Sequence, residues 1–176
     1  MSVPPNYNVI YQNPNIPFIE GINKVVFDQS VLVQPTVSFM DAYALMPTDN
    51  SSTIAVGSDV AFPRLGSSST SDIVPLTTSS FTLGPIGVYD VYFQVGVTDA
   101  SGCQLALTLN NVLQPQSVSG LLGSDVIIGR TLLTTTVVNS VVTVRNPTGN
   151  LRPITVTASL GGTNSVSAHL IITRLK

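Results

Sequence analysis

One histidine, one cysteine and nine carboxylates are all that this 176-residue chain offers to acid–base, nucleophilic or metal chemistry. As the only histidine, His169 supports no histidine-based metal cluster within one subunit, and no Ser/His/Asp triad is read around it. Its ordinary reading is a hydrogen-bonded histidine on an interface or second-sheet face. Three copies of His169 brought together on a threefold axis could instead form a metal or anion site. Cys103, also single, excludes an intrachain disulfide and any cysteine-based metal site, and reads as a small buried thiol. Asp49, with Asn50, Ser51 and Ser52, offers oxygen ligands for calcium, but the spacing is not that of an EF-hand and turn capping accounts for it. Paired carboxylates for glycoside chemistry would have to come from Asp residues far apart in sequence, with nothing pointing to a cleft. Asn50-Ser51-Ser52 is a formal glycosylation sequon that no secretory leader accompanies. Gly120-Leu121-Leu122-Gly123 and Gly161-Gly162 read as turns, because no helix follows to supply a phosphate loop with amide donors. The expectation is a protein that is not an enzyme, with no cofactor and no metal.

The residues that dominate are those of architecture. Charged side chains make up 9% of the chain, against about 25% in an ordinary globular domain. Mean hydropathy is +0.38. Ser, Thr, Asn and Gln must therefore supply most of the solvated surface, and part of that surface is expected to be covered by other copies of the chain. The net charge is −2, and the five arginines (Arg64, Arg130, Arg145, Arg152 and Arg174) are scattered, so no nucleic-acid partner is expected. No apolar run approaches the ~18 residues of a membrane helix, so no membrane partner is expected either.

From Gly87 the chain alternates with a period of two. Tyr89, Val91, Phe93, Val95 and Val97 fall on one face; Asp90, Tyr92, Gln94 and Gly96 fall on the other. Similar runs recur from Thr36 onward, with turn signals about every 8 to 14 residues. They predict strands over Val37 to Leu45, Asp59 to Pro63, Phe81 to Leu83, Gly87 to Thr98 and Gln104 to Leu109. Further strands are expected over Val112 to Val118, Ser124 to Leu132, Thr135 to Arg145, Ile154 to Ala158 and Val166 to Arg174. β-Branched residues dominate and helix formers are scarce, which indicates an all-β sandwich or barrel over residues 36–176. Valine on both faces of Thr135 to Arg145 suggests a strand buried on both sides.

Residues 1–35 have a different texture. Prolines and asparagines alternate with apolar side chains, among them Tyr7, Ile10, Tyr11, Ile16, Phe18 and Ile19. Proline at this density excludes helix and central strand. The segment reads as an extended arm that docks on a neighbouring subunit or on an anchoring filament protein, or straps its own domain.

Several blocks of the larger region resemble a known family. They are Phe39-Met40-Asp41-Ala42-Tyr43-Ala44-Leu45-Met46-Pro47, Ile86 to Val95, Leu133 to Pro147, and Gly161-Gly162-Thr163 followed by Val166 to Ile172. Together they resemble the C-terminal globular domain of the BclA-type collagen-like exosporium glycoproteins of bacterial spores. That resemblance implies an antiparallel two-sheet jelly roll of the tumour necrosis factor kind, three copies around a threefold axis, and a structural or adhesive role at a filament tip. The family's collagen-like stalk is absent here, and the Pro/Asn-rich arm stands in its place. An axial trimer interface is expected to include Tyr43, Val138, Val142, His169, Leu170 and Ile172. A fibre subunit polymerising through residues 1–35 is one alternative. A phage or virus head binding glycans through the loops Asp99 to Gly102 and Asn146 to Asn150 is another.

Overall fold

The computed structural model describes residues 37–50, 53–69, 71–159 and 164–176. The expected arm, with Tyr7, Ile10, Tyr11, Ile16, Phe18 and Ile19, lies outside the described residues. Within Thr36–Lys176 the chain is all-β and antiparallel, with eleven strands among the described residues. They are β1 (Phe39–Leu45), β2 (Thr53–Ile54), β3 (Arg64–Ser68), β4 (Ile73–Pro75), β5 (Phe81–Leu83), β6 (Val88–Leu109), β7 (Val112–Leu113), β8 (Ser119–Thr134), β9 (Ser140–Arg145), β10 (Ile154–Thr155) and β11 (Val166–Arg174).

The layout follows from β6, whose two halves have different neighbours. Tyr89 to Val95 pair with β11, whereas Ala106 to Leu109 pair with β9. β8 runs alongside both halves. A front layer is thus ordered β3-β1-β11-β6-β8 and a back layer β4-β5-β9-β6-β8, with β10 and β2 as a separate pair. The two long strands change layers where their register shifts, between Asp99 and Cys103. Gly102 lies there at φ 82, a conformation that glycine adopts without a steric penalty. The expected turn at Asp99 to Gly102 is therefore a bulge inside one long strand. The expected turn at Gly120 to Gly123 is likewise part of β8, paired across that bulge.

Between the layers lies the core. Tyr89, Val91, Phe93, Val95 and Val97 are all fully buried, as their alternation requires. Met40, Ala42 and Ala44 from β1, Leu105 and Leu107 from β6, Val142 and Val144 from β9, and Ala168, Leu170 and Ile172 from β11 join them. Tyr89 is accommodated because its hydroxyl donates to the Pro85 carbonyl at 2.6 Å, and burial raises that phenol above its usual range.

Some expected strands are shorter or absent. Val60 and Phe62 are buried, but the expected strand there has only one bridge, from Asp59 to Arg145. Only Val112 and Leu113 of the next are paired, before the 3-10 turn Pro115–Ser117. The strand expected from Thr135 begins at Ser140 instead. Asn139 has φ 55 and Ser140 Oγ donates to the Val137 carbonyl at 2.9 Å, so the valines before Ser140 belong to a turn. β3 was hidden in a Gly/Ser-rich stretch because all five of its residues are exposed, leaving no hydrophobic alternation to see.

Gly129 in β8 lies opposite Phe93 in register. A Cβ at Gly129 would overlap the Phe93 ring, which is itself fully buried. Gly129→Ala is expected to destabilise the domain by about 1–3 kcal/mol through overpacking. The check is the urea midpoint, which should fall with an unchanged slope; an unchanged midpoint would mean that the ring is not held there.

Candidate functional site

In a two-layer sheet protein each layer has an inner face, which makes the core, and an outer face. The outer face of the front layer is built in three rows by strand register. Tyr43, His169, Gln94 and Ile128 form one row. Asp41, Ile171, Tyr92 and Arg130 form the next, and Phe39, Thr173, Asp90 and Leu132 the third. Ile128 and Leu132 are each 57% exposed, and Phe39 and Ile171 are exposed as well. These exposed apolar side chains are interleaved with Asp41, Asp90, Gln94, Arg130 and His169, so the face is a mixed one on which large apolar groups stand free to meet another surface.

The charges on this face are matched among themselves. His169 Nε2 lies 2.6 Å from Asp41 Oδ1, between neighbouring strands. Arg130 grips Asp90 with Nε at 3.0 Å and Nη2 at 2.5 Å. The Tyr92 hydroxyl donates to Gln94 Oε1 at 3.0 Å. Each of these polar groups has a hydrogen-bond partner on the same face, and Arg130 with Asp90 forms an ion pair within it. By contrast, the outer side of the back layer is closed by a hydrogen-bond network. Thr108 and Thr143 hydroxyls meet at 2.8 Å, Thr143 donates to Asp59 at 2.9 Å, and Arg145 holds both Asp59 and Asn111.

Of the six residues expected at a trimer interface, Tyr43 and His169 lie on this outer face. Val142, Leu170 and Ile172 do not, and this is a correction. They face inward and are at most 1% exposed, because their phase of the alternation fills the core of a single chain. Val138 is exposed, but in the turn before β9 rather than on a strand buried on both sides. Phe39, Tyr92, Ile128, Leu132 and Ile171 were missed. Their signal was the same period-two pattern, read in its other phase.

No protein-family model matches the chain, and no curated protein matches it. Solved structures do. Murine APRIL, crystallised at pH 8.5, superposes with a TM-score of 0.55 at 10% identity, covering 80% of this chain and 100% of that one. Eiger TNF from S. frugiperda gives a TM-score of 0.52 at 13% identity, covering 80% of this chain and 92% of that one. At such identities the likeness is one of fold. The chain is an all-β antiparallel jelly roll of the tumour necrosis factor kind.

The remaining chemically capable groups are committed to structure. Cys103 is buried, and burial, followed by the charge of Asp99, pushes its thiol up and keeps it protonated. Asn50 is buried, with its side chain both donating to the Ala61 carbonyl at 3.0 Å and accepting from the Ala61 amide at 3.1 Å. It is therefore not a free glycosylation acceptor. Asp49 accepts the Leu45 amide at 2.8 Å and pairs with Arg64, so its carboxylate caps the end of β1. No cluster of three metal-capable side chains occurs among the described residues.

Arg64, and then the Leu45 amide, hold the Asp49 carboxyl below its ordinary value of 3.8. The folded chain therefore keeps this charge where the unfolded chain has gained a proton. The resulting stabilisation is complete above about pH 4 and is lost as pH falls through the lowered folded value. Asp49→Asn should lower stability at neutral pH and flatten the acid limb of a stability–pH profile, so that variant and parent converge as pH falls. A profile parallel to the parent throughout would show that Asp49 contributes nothing to acid sensitivity.

Proposed function

We propose that this chain is a non-enzymatic structural protein, the homotrimeric jelly-roll head of a surface filament, carried on a bacterial spore. The observation that carries the reading is the outer face of the front layer, where Phe39, Ile128, Leu132 and Ile171 are exposed. Covering one exposed Ile or Leu contributes about 1.5–3 kcal/mol. Association costs about 4–15 kcal/mol in lost freedom, so no single residue suffices. Phe39, Ile128, Leu132 and Ile171, exposed together on one face, would have to be covered jointly. The likeness of fold is consistent with this reading, and the spore surface is suggested by the sequence blocks that resemble the exosporium glycoproteins. Residues 1–35 are the proposed link to the filament, through Tyr7, Ile10, Tyr11, Ile16, Phe18 and Ile19.

Light scattering coupled to size exclusion should give about three times the 18.5 kDa chain mass at micromolar concentration. Ile128→Asp, at an exposed position, should yield a monomer with an unchanged β-type circular dichroism spectrum. A stable parent monomer would contradict the reading. If the chain instead polymerises through residues 1–35, deleting residues 1–20 should abolish filaments of the protein in negative-stain images while leaving the trimer mass intact; unchanged filaments would end that alternative.

A further inference from the structure

Where β6 and β8 change layers, the bulge meets the loop joining β9 to β10, and the two enclose an open cleft of about 520 Å³. Its walls are residues 101–104 and 120–121 on one side and 149–152 on the other. The loop is pinned from below. Asn146 is fully buried, and its side-chain amide donates to the Ile54 carbonyl at 2.9 Å. Asn150 donates to Asn146 Oδ1 at 2.6 Å and to the Gln104 carbonyl at 2.8 Å, which ties the loop to the bulge. Arg152 spans the cleft, with Nη1 donating to Ser101 Oγ at 2.8 Å.

Arg152 differs from every other arginine. Arg64 pairs with Asp49, Arg130 with Asp90, Arg145 with Asp59 and Arg174 with Asp72. Among the described residues Arg152 alone has no carboxylate partner. An arginine carries five N–H donors in a planar fork, of which the Ser101 bond uses one. The others remain available to an anion at the cleft.

We propose that this cleft binds an acidic saccharide, with a sugar carboxylate on Arg152 and sugar hydroxyls on the side chains of Gln104 and Asn150. A guanidinium and a carboxylate form the strongest contact such a site can make. The amide-lined walls match hydroxyl groups, and Leu121 and Leu151 offer an apolar surface to the C–H side of a ring. A peptide would look for an apolar anchoring pocket or a free strand edge, and neither lines this cleft. The site shares no residue with the outer face of the front layer, so it stands or falls independently of trimer formation.

The test is titration of the isotopically labelled full chain with trigalacturonate, maltotriose and N-acetyl-Asp-Glu, followed by amide resonances. Trigalacturonate should shift residues 101–104 and 149–152, and maltotriose should bind at least about tenfold more weakly. Arg152→Ala, at an exposed position, should reduce trigalacturonate affinity by about tenfold or more, with Arg152→Lys between it and the parent. Equal binding of maltotriose, no shift with any ligand, or shifts elsewhere on the protein would overturn the proposal. Tighter binding of the acidic dipeptide would also overturn it, in favour of a peptide site. Oligomer mass measured on the same samples separates this outcome from failure of the trimer reading.

Discussion

Strand residues alternate between two faces, and in a two-layer protein the second layer covers only the inner face of the first, leaving the outer face to loops, water or another surface. In the front layer both phases of the alternation carry large apolar side chains. One phase, from Met40 through Val91 and Phe93 to Leu170 and Ile172, meets the back layer and is buried. In the other, Phe39, Ile171, Ile128 and Leu132 have no such partner among the described residues and are exposed. Removing apolar surface from water is favourable wherever it can be done, so this second face is the one on which the proposed trimer would be built.

How the scarce charges are placed supports the same logic. Five carboxylates are matched locally to four arginines and His169. Exposed pairs of this kind stabilise a fold little. What they do here is give polar groups local partners: Asp90 with Arg130 and Asp41 with His169 on the front layer, Asp59 with Arg145 on the back. The exception among the arginines, Arg152, stands at a cleft rather than on a face and has Ser101 but no carboxylate as a partner among the described residues.

Much of this architecture was legible in the sequence. The alternation from Tyr89 to Val97 put the right side chains into the core, and Gln104 to Leu109 was read as a strand. What misled was phase and continuity. Val142, Leu170 and Ile172 look as greasy as any interface residue, and composition does not say which phase of a strand the second layer will cover. Val137 and Val138 look like strand residues, yet the turn closed by Asn139 and Ser140 claims them. Gly102 and Gly120 look like turn glycines, but they serve a bulge where two strands lie close. At Gly120 a Cβ would stand 2.7 Å from the Gln104 side chain. The loops Asp99 to Gly102 and Asn146 to Asn150 were singled out together from their residue types. Only the fold reveals that they face each other, because the contact spans about fifty residues of chain and depends on a buried Asn146.

The central claim is that sister chains cover the outer face of the front layer. Hydroxyl-radical footprinting of Tyr43, Tyr92 and Phe39 at micromolar protein tests it most directly, with core Tyr89 as the internal standard. The account predicts that all three are protected nearly as well as Tyr89 and become reactive when Ile128→Asp is introduced. Labelling of the parent protein at the rate of freely exposed aromatics would mean that water, not another copy, covers that face.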